Sequence, residues 1–90
     1  MNDLEKTIYY NSLLSFYRGL LTDTQQEILS EYYEANLSIS EIAENRDVSR
    51  AAIEDAIRKG SNKLVAFENE LHLYEKQQKR REPYVRALLS

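Results

Sequence analysis

Ninety residues, 42% hydrophobic and 30% charged, can form one small folded domain and do not have the composition of a disordered tail. Without cysteine there is no disulfide, thiolate metal site or cysteine nucleophile, and two glycines cannot build a phosphate-cradling loop. The formal net charge of −3 lacks the overall basic signature of a nucleic-acid binder.

That net charge hides an asymmetry. Residues 22–47 carry seven acids against the single base Arg46, a balance of −6. Residues 76–90 set Lys76, Lys79, Arg80, Arg81 and Arg86 against Glu82, a balance of +4. The opening MNDLEKTIYY has no basic segment leading into an apolar one, and no apolar run approaches the ~18 residues of a membrane span. A cytoplasmic protein with no membrane partner is expected.

Asn2 or Asp3 can cap a first helix running to about Arg18, with Gly19 placed to end it. Its apolar positions, Leu4, Ile8, Tyr9, Leu13, Phe16, Tyr17 and Leu20, form a stripe too broad for a helix lying free on a surface. Thr22 with Gln25 makes a capping box for a second helix, whose inner face is Ile28, Leu29, Tyr32 and Tyr33 and whose left-handed stop is Asn36.

Ser38 to Lys59 then reads as two helices joined by a tight turn. Ser38 and Glu41 form another capping box, and Ile39, Ile42 and Ala43 an apolar stripe. Ala43 is small where two helices crossing at about 90–120° must touch. Asp47 suits a left-handed turn residue, Val48 can plug the corner, and Ser49 can cap the next helix, whose inner face is Ile53, Ala56 and Ile57. This is a helix-turn-helix. A DNA reader of this kind offers the outer residues of its second helix to the groove. Here the nucleic-acid-binding candidates are Ser49, Arg50, Ala51, Arg58 and Lys59, interleaved with Glu54 and Asp55. Both acids precede bases at i,i+4, so the cations are partly engaged within their own helix.

From Ile53 the apolar positions continue as Ile57, Gly60, Leu64, Phe67, Leu71 and Tyr74, a heptad seam. Gly60 marks either a bend or a close helix contact. Nothing else breaks helix before Pro83, so a continuous helix from Arg50 to about Arg81, about 48 Å long, is predicted. Leu64, Phe67, Leu71 and Tyr74 would then be an oligomer interface for a homodimer. Lys76, Lys79, Arg80 and Arg81 either complement the helix dipole or contact phosphate.

The expected fold is all-α: a helical hairpin plus a helix-turn-helix with a long C-terminal helix, sigma-like and without a wing. One domain spans 1–90, divided into an N-terminal helix (1–21), the helix-turn-helix region (22–60) and a C-terminal helical extension (61–90). His72 has no second histidine or cysteine to share a metal and reads as solvated. The tyrosines sit at core-facing positions. No catalytic residue, metal site, cofactor or small-molecule substrate is expected, and the chain is read as non-enzymatic.

LTDTQQEILSEYY followed by SISEIAENRDVSRAAIEDAIRK resembles the promoter-reading domain of bacterial sigma factors over roughly forty residues. Together with the opening LEKTIYYNSLLSFYRGLLTDTQQ and the later ENELHLYEK, it resembles the YlxM-like proteins of Gram-positive bacteria and mycoplasmas, over residues 4–82. That resemblance implies a helix-turn-helix protein associated, through gene neighbourhood, with the signal recognition particle and regulatory in its pathway. The implied partners are its RNA or its GTPase. The family's recognition helix usually opens SR-x-A, matched by Ser49, Arg50 and Ala52; Glu54 and Ala56 depart from its aromatic and neutral polar residues. A sigma-like DNA-binding transcriptional regulator and a protein-binding adaptor remain the alternatives.

Overall fold

The computed structural model describes residues 2–80. Helix α1 (Asp3–Tyr17) closes in a 3-10 turn over Arg18–Leu20; α2 (Asp23–Leu29) widens into a π-turn over Ser30–Glu34. Then come α3 (Ile39–Arg46), α4 (Arg50–Leu71) and a last helix, α5, over residues 73–80. Among the described residues the chain is all-helical, as its patterning predicts.

The starts of α1 to α4 follow from local caps. The Asn2 side chain accepts from the Glu5 N–H at 2.8 Å. Thr22–Gln25 and Ser38–Glu41 both close as reciprocal capping boxes. Ser49 accepts from the Ala52 N–H at 3.1 Å to open α4. Asn36 and Asp47 end their helices in the left-handed region, at φ 58° and 54°. Such a residue costs an L-amino acid roughly 1 kcal/mol, and Asn and Asp tolerate it best.

Helix α4 is the axis of the fold and packs against α1, α2 and α3. The core gathers Leu13, Leu14 and Tyr17 of α1, Ile28 and Leu29 of α2, Ile42 of α3, and Ile53, Ile57 and Leu64 of α4. Gly60 lies buried in the α2–α4 contact. A Cβ there would sit 2.8 Å from Leu29 Cδ1 and 3.2 Å from its Cγ, and Leu29 is itself fully buried. Gly60 is therefore a close-approach residue, and α4 runs through it unbroken.

Three expectations need correction. The continuous helix to Arg81 does not form, because α4 ends at Leu71 and His72 turns left-handed at φ 56°. The stripe on α1 is narrower than its sequence suggests: Leu4, Ile8 and Leu20 are exposed, while Leu14 is completely buried. The inner face of α4 covers one side of α1 only. Val48 does not plug the corner either; it is exposed, whereas Ile42 and Ala43 of α3 are buried.

Candidate nucleic-acid interface

The helix-turn-helix is built by α3, the turn at 47–49 and the first half of α4. The turn closes with two backbone bonds, the Asp47 N–H to the Glu44 carbonyl at 3.2 Å and the Val48 N–H to the Ala43 carbonyl at 3.1 Å. They satisfy carbonyls that the helix end would otherwise leave free. Helix α3 is also tied from behind. Arg46 grips Glu31 with two N–H···O bonds of 3.1 Å and reaches Glu27 at 3.2 Å. The lone base of the acidic 22–47 stretch thus locks α3 to the α2 segment, and with Glu34 paired to Arg18 at 2.7 Å three of the seven acids are consumed internally.

On the outer face of α4, Ser49 is spent on the cap while Arg50 and Ala51 are exposed. Arg50 has no ion-pair partner among the described residues. Further along, Arg58 and Lys59 both turn to Asp55, Lys59 at 2.9 Å. The Lys59 hydrogen bond, with the charges of Lys59 and Arg58 beside it, holds the Asp55 carboxyl below its ordinary range. Of the cations predicted on this helix, Arg50 alone is thus unengaged. Glu54 stays exposed and with Arg58 lines a groove of about 770 Å³ whose walls also include Lys6, Tyr10, Tyr32 and Asn62.

The C-terminal candidates divide. Lys76, Lys79 and Arg80 are exposed on α5, with Lys79 paired to Glu75 at 3.2 Å; Arg81 lies outside the described residues. Of the expected interface stripe, Leu64 is fully buried within the chain's own core. Phe67 meets Tyr17 and Tyr74 meets Tyr9, with ring centroids 6.0 and 5.3 Å apart, and Leu71 stays exposed. The heptad spacing is real, but α1 of the same chain covers most of it. His72 is exposed, its Nδ1 3.0 Å from Glu75.

One residue escaped the sequence reading. Glu68 is 7% exposed. Its Oε1 accepts from the Tyr17 hydroxyl at 2.6 Å and the Tyr74 N–H at 3.0 Å, and its Oε2 accepts from the Glu75 N–H at 3.1 Å. The Leu73 N–H donates to the Tyr17 oxygen at 3.1 Å. Burial, and next the bond to Glu68, push the Tyr17 phenol above its usual 10.0. A carboxylate on the apolar side of a predicted heptad was the only available signal.

Fold and site together define a helix-turn-helix protein whose second helix extends well beyond the motif. Residues 4–87 match the UPF0122 family, described as YlxM/p13-like helix-turn-helix proteins, and the chain belongs to that family. It is 43% identical to a UPF0122 protein of Staphylococcus epidermidis over 83 residues, which is 92% of this chain and 76% of the relative. Similar relatives occur in Malacoplasma penetrans (49% over 72 residues, 80% and 67% of the two chains) and Shouchella clausii (45% over 78 residues, 87% and 72%).

Proposed function

We propose that this chain is a non-enzymatic regulatory or accessory protein that binds nucleic acid through its helix-turn-helix. As the resemblance to YlxM-like proteins implies, we place it in the cytoplasmic signal recognition particle pathway, with the particle's RNA or GTPase as its target. The observation that carries nucleic-acid binding is Arg50: exposed, at the first position of α4, and free of the ion pairs that hold Arg58 and Lys59. The basic side chains Lys76, Lys79 and Arg80 supply a second contact.

Gel-shift titrations against signal recognition particle RNA and against duplex DNA, at ~50 mM salt, test this reading. Arg50→Ala is expected to weaken binding and, on duplex DNA, to flatten the log–log salt dependence by about 0.9, the share of one phosphate ion pair. Joint neutralisation of Lys76, Lys79 and Arg80 is expected to have the larger effect if α5 is the main contact. Preference for duplex DNA would favour a sigma-like regulator instead. Binding to neither nucleic acid would overturn the reading.

The acids of 22–47 without an ion-pair partner among the described residues, Asp23, Glu41, Glu44 and Asp47, favour a second reading, a protein-binding adaptor with a basic partner, because such carboxylates repel phosphate. Capture of the purified GTPase in the presence of nucleases would support it. Pairing of two copies is proposed on the apolar side chains that stay exposed, Leu71 and Leu73 with Leu4 and Ile8. A single 10.6 kDa species in sedimentation equilibrium at tens of micromolar would exclude it.

A further inference from the structure

We propose that the joint between α4 and α5 is a two-position elbow, bent when Glu68 and Tyr17 hold it and straight when they let go.

The residues around the bend give it no local cause. From Leu64 to Arg80 the chain has neither glycine nor proline, and the residue in the left-handed conformation is a histidine. Left to itself such a segment continues as helix. The bend is imposed from outside the turn, by a buried carboxylate four residues earlier and a phenol on α1. Between them they take up the first three N–H groups of α5, those of Leu73, Tyr74 and Glu75. The fourth, Lys76 N–H, donates to the His72 carbonyl at 2.9 Å.

The alternative state conserves those bonds. In a continuous helix the N–H groups of 73, 74 and 75 donate to the carbonyls of 69, 70 and 71 in the ordinary i→i−4 pattern. The His72 N–H already donates to the Glu68 carbonyl at 2.8 Å, and the Lys76 bond to His72 is itself i→i−4. Straightening therefore exchanges three side-chain acceptors for backbone carbonyls and leaves none of these N–H groups unpaired. It relieves the left-handed residue. It separates Tyr74 from Tyr9 and leaves the Glu68 and Tyr17 side chains without those partners. Two packings that keep every one of these N–H groups bonded and differ by a few side-chain contacts make a bistable element, and a ligand with unequal affinity for the two shifts it. In the bent state Tyr74 rests on α1; in the straight one Lys76, Lys79 and Arg80 prolong the axis of α4.

Nitroxide labels at Asn62 and Gln78, both exposed, test the elbow on the isolated protein, whatever it binds. A straight helix separates those Cα atoms by about 24 Å; any bend shortens the distance. The native chain is expected to give one short population. Glu68→Gln is expected to add a population near the straight value, which becomes dominant when His72→Ala is combined with it. His72→Gly in the Glu68→Gln background is expected to return the short distance. A short distance in all variants, with native helicity by circular dichroism, would overturn the proposal. A broad distribution with diminished helicity would also overturn it, since α5 would then be fraying. Should Glu68→Gln fail to fold, His72→Ala alone decides: a several-fold larger long-distance fraction supports the elbow, and none refutes it.

Discussion

The chain turns two corners with the same backbone device and holds them by opposite means. Between α3 and α4 the left-handed residue is Asp47, and the new helix is capped two residues later by the Ser49 hydroxyl. Between α4 and α5 the left-handed residue is His72, and the new helix is capped by Glu68 and by Tyr17, fifty-six residues before Leu73. The first corner is written into residues 43–52, which supply both its turn bonds and its cap. The second is completed only when α1 docks on α4, since Tyr17 takes one of its three N–H groups and donates to the carboxylate that takes the other two. A turn need not be encoded where it occurs.

This contrast yields graded expectations. Glu68→Ala should be the largest single effect at either corner, destabilising by about 3 kcal/mol in chemical denaturation. It leaves the buried Tyr17 phenol without its charged acceptor and takes from the bent joint the acceptor of two N–H groups, which only straightening returns to backbone carbonyls. A loss under about 0.5 kcal/mol would mean that water replaces the carboxylate without penalty. Next comes an alkaline effect in which the second corner has the share of Tyr17. The Tyr17 phenol is raised above 10.0 in the fold, so its neutral form is the one the native state favours. That contribution is complete below the unfolded value near 10.0 and is lost as pH climbs through the raised one. Melting temperature should therefore fall above about pH 10, and less steeply in Tyr17→Phe; Tyr9 and Tyr33, also raised by burial, keep the remainder.

At the first corner, Ser49→Ala should cost about 1 kcal/mol, the usual worth of an N-cap side chain, and should leave α5 untouched by amide exchange. The smallest effects are the glycine replacements. Asp47→Gly and His72→Gly each relieve a strained φ and should stabilise by about 0.5 kcal/mol. Any gain that differs sharply between the two would show that one of these side chains has a role beyond its backbone.

What the sequence made legible follows the same division. Capping boxes at Thr22–Gln25 and Ser38–Glu41, the left-handed stops at Asn36 and Asp47, and the small Ala43 are all short-range signals, and each corresponds to a structural feature. The helix-turn-helix was therefore readable residue by residue. The bend at His72 was not, because its cause is a carboxylate–phenol contact between residues 51 apart in sequence. The heptad of Leu64, Phe67, Leu71 and Tyr74 misled for a related reason. An apolar period states that a face is covered and is silent on whether the cover is α1 or another chain. Among the candidate contacts, sequence spacing foresaw that Asp55 would engage Lys59, but placed Arg58 with Glu54 where it turns instead to Asp55.

Gly60 has a consequence for how this protein can recognise anything. Because a single carbon added there would collide with Leu29, α4 cannot roll about its own axis without driving a side chain into α2. The azimuth of the helix is keyed, like a shaft on a spline, and with it the direction in which Arg50, Glu54 and Arg58 project. That face is presented in one fixed orientation, so a partner that bound it would have to make the conformational adjustment.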